Sequence, residues 1–182
     1  MIGRWCVIAA SVAALAACGD PTSLRASFAT VGDTLTVFAL TGTPSAVPTA
    51  LDTYAHQVVR VASGAQFDIV FDLDAQGRAV LYPASLVAGT GRTGLLKVPG
   101  AFDDLLIAPE DGYDEGQALT VAVGEVVAVR AQALVCRADL RTDLYSKLVV
   151  DGIDMSQRTI QFRMRVDPNC GFRELTEGIP DR

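Results

Sequence analysis

The sequence predicts an all-β fold: a single antiparallel β-sandwich or barrel-like domain over residues 24–182. Two observations predict this class. Beyond residue 24 the chain alternates short stretches rich in β-branched and aromatic residues with turns that contain glycine. No segment there carries a long apolar repeat of about 3.6 residues, so a helical fold is not expected. Many short strands at regular spacing are typical of sandwiches and barrels.

The clearest local element is a β-hairpin in the first half of the chain. Residues 67–73 alternate apolar and mostly acidic side chains, as in a strand with one buried face. Residues 74–77 then predict a tight turn in which Gly77 takes the left-handed conformation, and residues 79–83 predict the returning strand. The best helical candidate follows at once, at residues 83–88, and it is short.

Further strands are predicted before and after this hairpin. They cover residues 33–41, 95–98, 103–107, 119–123, 126–135, 144–150 and 159–166. The last three form a meander, with a turn at residues 151–156. In the first strand of the meander one face is apolar: Val127, Val129, Ala131, Ala133 and Val135. In its last strand the inward face consists of Ile160, Phe162, Met164 and Val166, which makes Met164 a core residue.

The N-terminus has the parts of a cleaved export signal. Arg4 supplies a positive charge, residues 5–14 form an apolar stretch, and small residues follow. The apolar stretch is too short for a transmembrane helix, which needs about 20 apolar residues. A buried N-terminal helix of a cytosolic protein is the alternative interpretation.

The signal ends in a motif that resembles the lipobox of bacterial lipoproteins: Leu15-Ala16-Ala17-Cys18-Gly19. The resemblance implies that residues 1–17 are a signal peptide and that Cys18 receives a diacylglycerol thioether, which holds the protein in the membrane. Residues 18–23 then form a polar tether with a reach of about 12 Å. Aspartate stands at Asp20 and not directly after the cysteine, which favours the outer membrane.

The acidic balance of the chain limits its partners. The formal net charge is −6, and it becomes −6 − 1 = −7 once Arg4 leaves with the signal. A negative chain without basic runs is repelled by phosphate backbones, so nucleic acid is not an expected partner. A polybasic contact with the membrane surface is not expected either.

Two of the four cysteines remain for the folded domain. Cys6 leaves with the signal and Cys18 carries the lipid, which leaves Cys136 and Cys170 in an oxidising compartment. Both follow strands of the meander that end on the same side of the sheet, so a disulfide is expected. Such a bridge closes a loop of about 35 residues and stabilises the fold by roughly 4 kcal/mol. Two free thiols or a metal-binding pair are the alternatives.

Candidate residues for chemistry are few. His56 is the only histidine, and no metalloprotease, serine-hydrolase or redox-cysteine motif accompanies it. We therefore expect no enzyme, no metal site and no cofactor, with His56 as a surface or edge residue. Residues 72–77 mimic the start of a calcium loop, but Pro83 stands at the twelfth position, where a glutamate is required. Residues 110–115 are acidic and are interpreted as a solvated loop.

Three segments carry a wider resemblance: residues 124–130, 144–150 and 159–163. They resemble the final strands of haem-scavenging lipoproteins of the HmuY type, over less than a third of the chain. The resemblance implies haem binding, with His56 as an axial ligand and Met155 as its soft partner if the fold brings the two together. That family uses paired axial ligands, whereas this sequence has one histidine.

Two functional hypotheses follow. The first is a membrane-anchored, non-enzymatic binding or structural module with an unknown protein or small-molecule partner. The second is a carrier of a small ligand such as haem.

Overall fold

The computed structural model describes residues 25–89, 91–138 and 143–181. Within these residues the chain forms two five-stranded antiparallel sheets. The strands are β1 (Val31–Phe38), β2 (Ala50–Asp52), β3 (Gln57–Val59), β4 (Ile69–Leu73), β5 (Ala79–Pro83), β6 (Thr93–Val98), β7 (Leu119–Val121), β8 (Val126–Gln132), β9 (Asp143–Asp154) and β10 (Thr159–Asp167). One short helix, α1 (Ala84–Ala88), and 3-10 helices at Val61–Ser63, Phe102–Asp104 and Leu134–Ala138 complete the described elements.

The two sheets differ in strand length and order. The first sheet has the order β1-β10-β9-β8-β6, and the second has the order β3-β2-β4-β5-β7. Helix α1 carries the chain from β5 in the second sheet to β6 in the first. The all-β sandwich predicted from the sequence is confirmed, and the barrel-like alternative is not what forms.

The main core lies between the sheets. Its buried side chains come from both layers, with Phe71 and Leu81 from the second sheet and Leu148, Phe162 and Met164 from the first. The outer face of each sheet is covered as well. The loop before β7 and the C-terminal segment cover the first sheet, where Phe102 and Leu175 are buried, and α1 covers the second, where Ala84 is buried.

The predicted hairpin and the predicted helix are confirmed. Strand β4 pairs with β5 around a turn in which Gly77 has φ of 75°, and α1 begins one residue after the predicted start. The alternation in β10 is also confirmed, because Ile160, Phe162, Met164 and Val166 are all buried.

Several predicted boundaries need correction. Residues 103–107 are not a strand: Phe102–Asp104 is a 3-10 helix, because the Asp104 carboxylate accepts the amide of Ala101 at 3.0 Å and favours a helical turn. Ile107 makes only an isolated bridge to Glu174.

The predicted strand at residues 126–135 ends early, and the predicted turn at residues 151–156 starts late. Strand β8 stops at Gln132, a 3-10 helix follows, and Val135 is 52% exposed rather than part of the inward face. Strand β9 continues to Asp154, because a bulge opposite Gln161 and Phe162 lets it pair further with β10. The turn itself covers residues 155–158.

Strands β2 and β3 were not predicted, because three residues are too few to show a period.

The sandwich has two distinct ends. At one end β8 and β10 finish and β1 begins, and a disulfide lies there; we call it the disulfide end. At the other end are the β4–β5 turn and the β9–β10 turn, and we call it the hairpin end.

Candidate functional site

A cleft opens at the disulfide end of the sandwich. Its cavity volume is about 360 Å³, within the range of small-ligand sites in proteins. On one side its wall comes from the segment before β4 and from α1, with Asp68 and Ala84. On the other side it comes from the first sheet and the 3-10 helix after β8, with Thr93, Gln132 and Leu134. A smaller depression of about 210 Å³ shares Gln66 and Leu134 with it. We call the larger cavity the disulfide-end cleft.

The connections between the sheets shape this cleft. Helix α1 has only five residues, and Gly89 directly after it has φ of 64°, the left-handed conformation that commonly ends a helix. The segment between β3 and β4 crosses the same end, and its residues Val61, Gly64 and Gln66 form part of the wall. The cleft therefore lies where the chain passes from one layer to the other.

Asp68 is the buried charged residue among the described residues that line the cleft. Its side chain is 3% exposed. Oxygen Oδ2 accepts hydrogen bonds from the Thr53 amide at 2.8 Å and from the Thr53 hydroxyl. No described residue donates a hydrogen bond to its other oxygen, Oδ1. The carboxyl is thus held in a fixed orientation on one side and has an acceptor left over on the other.

Burial raises the pKa of Asp68 to about 6. The two hydrogen bonds from Thr53 act in the opposite direction, since they favour the carboxylate, and the nearby Asp52 carboxyl raises the pKa further. A carboxyl that is costly to ionise, in the wall of a cavity, is the kind of group found at functional sites.

The mouth of the cleft is amphipathic. Arg92 lies in its wall, and its guanidinium is 3.3 Å from the Glu115 carboxylate. Leu134, and beside the smaller depression Tyr54 and Val135, are large apolar side chains that remain exposed. A ligand there would meet a buried carboxyl inside and apolar surface at the rim.

His56 lies near this end but does not line the cleft. It occupies the turn between β2 and β3 with φ of 50°, a conformation that non-glycine residues adopt rarely. Its Nε2 atom is enclosed and has no hydrogen-bond partner among the described residues. Burial lowers the pKa of His56, while the Asp33 and Asp52 carboxylates act to raise it.

The structure does not bring Met155 and His56 together. Met155 lies at the hairpin end, where its methyl group is 3.5 Å from the position that a Cβ at Gly77 would take. His56 lies at the other end of the molecule, beyond the start of β4. The five residues of β4 lie between the two ends and span about 17 Å. The two side chains cannot coordinate one iron in this arrangement.

The disulfide between Cys136 and Cys170 is present, as predicted. The S–S distance is 2.07 Å and the Cα–Cα distance is 5.5 Å. The bridge joins the 3-10 helix after β8 to the segment after β10. In that helix Cys136 lies two residues after the cleft residue Leu134. It therefore restrains the chain that forms one side of the cleft mouth.

The other acidic segments have structural partners. Asp74 accepts the amides of Gln76 and Arg78 within the hairpin turn. Glu115 pairs with Arg130 at 3.0 Å as well as with Arg92. In the described part of the chain no group of three or more His, Cys, Asp or Glu residues could hold a metal ion.

Cys18 and the signal region lie outside the described residues. Among residues 25–89, 91–138 and 143–181 no helix is long and apolar enough to cross a membrane.

Sequence reasoning missed Asp68. The alternation in residues 67–73 places Asp68 on the polar face of a strand, whereas all five residues of β4 are buried. One signal was available: Val70 interrupts the polar face with an apolar side chain, as expected when that face is covered too.

No family model matches this chain, and neither the curated proteins nor the solved structures contain a significant match.

Proposed function

We propose that the chain is an exported, lipid-anchored, non-enzymatic protein of the cell envelope that binds a small ligand in the disulfide-end cleft. One observation carries the binding part: a cavity of about 360 Å³ with the buried carboxyl of Asp68 in its wall. The anchoring part rests on the residues that end in Cys18 and on the export signal before them.

The cysteine pattern agrees with export. Disulfides persist outside the reducing cytoplasm, and the two cysteines of the described domain are bridged. An acyl-modified Cys18 would attach the protein to the membrane through several hydrocarbon chains, each methylene of which contributes about 0.8 kcal/mol.

The geometry favours a cleft on the membrane side. The described chain starts with Arg25, and Asn169 holds the next residues by accepting the amides of Ser27 and Phe28 at 2.8 and 3.0 Å. Asn169 is the second residue after β10, so the chain enters the domain at the disulfide end. The polar tether predicted at residues 18–23 has a reach of about 12 Å. The end with the cleft would therefore lie next to the lipid surface.

The composition of the cleft favours binding over catalysis. The described residues that line it include no Cys, Ser, His or Lys side chain. Acyl transfer and most hydrolysis need a nucleophile with a base beside it, or a metal. The separation of His56 from Met155 gives the haem-carrier alternative no support from those two residues.

The anchor is tested by mass spectrometry of the membrane fraction. We expect an N-terminal peptide that begins at acylated Cys18. Cys18→Ala should leave the precursor unprocessed or release the protein, while Cys6→Ala, which changes only the signal region, should leave lipidation intact. Recovery of the wild-type protein in soluble, unlipidated form would refute the anchor.

The cleft is tested by a ligand-observed NMR screen of small molecules against the mature protein in detergent micelles. We expect hits that are lost in Ala88→Trp, because Ala88 is an exposed residue of the cleft wall. Leu86→Trp on the same helix is the matched control, since Leu86 is exposed but does not line the cleft. Hits that are insensitive to both substitutions, or no hits at all, would contradict the proposal.

A further inference from the structure

We propose that the disulfide-end cleft selects small ligands that carry a positively charged amine, with Asp68 as the group that accepts it. The inference rests on the proposed function, because it names the ligand chemistry of the same cavity. Its recognition element would be the Oδ1 oxygen, to which no described residue donates a hydrogen bond.

The first argument is the orientation of Asp68. Two donors on Thr53 fix its Oδ2 oxygen, so the carboxyl does not have to be ordered when a ligand arrives. The side chain is 3% exposed, and a buried carboxylate without a counterion is expensive. An ammonium group donates hydrogen bonds and supplies the missing charge at once.

The second argument is the charge around the cleft. Asp52, from β2, lies close enough to Asp68 for its carboxylate to disfavour a second negative charge. Arg92 is the only cationic side chain among the described lining residues, and Glu115 already engages it at 3.3 and 3.5 Å. An anionic ligand would meet the Asp68 carboxyl, with the Asp52 carboxyl close to it, whereas a cationic ligand would relieve the repulsion between the two.

The third argument is the remainder of the wall. Val61, Phe67 and Leu134 supply apolar surface next to the carboxyl. A cavity of about 360 Å³ is near the lower limit of known ligand sites, so the ligand is small. The chemistry that fits is a primary amine on a compact apolar body.

The inference includes a pH dependence. Binding of a cation favours the ionised carboxyl, so the amine should bind more weakly as Asp68 takes up its proton. Asp52 is the charged group that acts on Asp68, and Arg92, just before β6, is the other charged side chain among the described residues of the cleft wall. With the pKa of Asp68 at about 6, affinity should be full at pH 8 and fall below pH 6, by up to tenfold per pH unit.

The experiment compares three probes of similar size: phenethylamine, phenethyl alcohol and phenylacetate. Each is titrated by NMR into the mature protein in detergent micelles at pH 8, with empty micelles as the blank. We expect saturable binding of the amine and at least tenfold weaker binding of the alcohol and of the carboxylate. Lowering the pH to 5 should weaken binding of the amine about tenfold.

Asp68→Asn is the decisive variant, since it keeps the shape of the side chain and removes its charge. It should lower the affinity for the amine at least tenfold and abolish the pH dependence, while binding of the alcohol stays the same. Asp103→Asn is the matched control, because Asp103 is an exposed carboxylate that does not line the cleft. It should leave amine binding unchanged.

The outcomes separate the two proposals. If the three probes bind equally, or if Asp68→Asn binds the amine as the wild type does, the amine inference is overturned and the ligand site stands. If cleft-specific hits from the screen bind but no amine does, the inference alone is again overturned. If neither these probes nor the screen gives binding that Ala88→Trp removes, both proposals fall.

Discussion

Two aspartates near the ends of β4 have opposite surroundings. Asp72, toward the hairpin end, is buried, and its Oδ1 and Oδ2 atoms accept the Thr41 amide at 3.1 Å and the Thr41 hydroxyl at 2.5 Å. The Arg158 guanidinium lies 3.7 Å away. Asp68, at the disulfide end, has hydrogen bonds on one oxygen only, and its charged neighbour is another carboxyl.

The difference shows which of the two buried aspartates has its acceptors and its charge matched by the described part of the chain. At the hairpin end the chain itself supplies donors and a cation to the buried acid, so Asp72 serves the fold. At the disulfide end the fold leaves an acceptor and a negative charge without a counterpart inside a cavity. Carboxyl groups retained at a cost to stability are expected where they serve function. This contrast is why we assign ligand recognition to Asp68.

Removal of the disulfide is expected to have the largest effect on the free energy of unfolding. The disulfide stabilises the end with the open cleft. The bridge joins residues 34 positions apart, for which the chain-entropy relation gives about 4 kcal/mol. We expect the double variant Cys136→Ala with Cys170→Ala to lose about that much free energy of unfolding and still to fold, because the core between the sheets is extensive. Urea unfolding with and without reductant measures this.

The control for the disulfide is the wild type under reduction, which should match the double variant. A loss below about 1 kcal/mol in both would mean that the contacts of this end hold the cleft wall without the bridge.

The second effect is the stability cost of Asp68. Its folded pKa of about 6 lies above the ordinary 3.8, so between these pH values the folded state binds the proton that the unfolded state has released. The free energy of unfolding therefore falls as the pH rises from about 4 to about 6, by up to about 3 kcal/mol. Asp68→Asn should remove this fall and be more stable than the wild type at pH 8, with little difference at pH 4.

Urea unfolding at both pH values checks this, and Asp103→Asn should follow the wild type. If Asp68→Asn were the less stable protein at pH 8, the carboxylate would have a partner that serves the fold, and the contrast with Asp72 would disappear.

The smallest expected effect is at the hairpin end, where replacing the buried aspartate should lower stability instead of raising it. Asp72→Ala leaves the amide and hydroxyl of Thr41 without their acceptor and removes the carboxylate that lies 3.7 Å from the Arg158 guanidinium. Because Arg158 is partly exposed, we expect a loss of about 2 kcal/mol rather than the larger cost of a fully buried pair. Chemical unfolding at pH 8 gives the value, and a variant as stable as the wild type would remove the distinction between the two aspartates.

The parts of the fold that were predicted are those with local signals. Alternation marked β4 and β10, and Gly77 marked the turn that the structure has. The disulfide followed from the positions of Cys136 and Cys170 after two strands of one meander. Strands β2 and β3 carried no such signal, because they are defined by their pairing with distant residues more than by their own sequence.

The burial of both faces of the sheets also lay beyond the sequence. A period of two indicates one buried face, and β8 illustrates its limit. Val127 and Val129 pack in the core between the sheets, while Val126 and Ala128 are covered on the outer side. Whether an outer face is covered depends on loops that come from elsewhere in the chain.

The sequence by itself determined the β4–β5 hairpin, the alternation of β10, the short helix and the cysteine pairing, because alternation, turn residues and the succession of strands along the chain are local properties. It is also the only basis for the predicted lipid anchor at Cys18. The tertiary structure alone decided the site. Burial within the folded chain and the nearby Asp52 carboxyl raise the pKa of Asp68, while the two hydrogen bonds from Thr53 lower it. All of these groups reach Asp68 through folding and not through sequence. Desolvation and charge act over a few ångströms of space, whatever the distance along the chain.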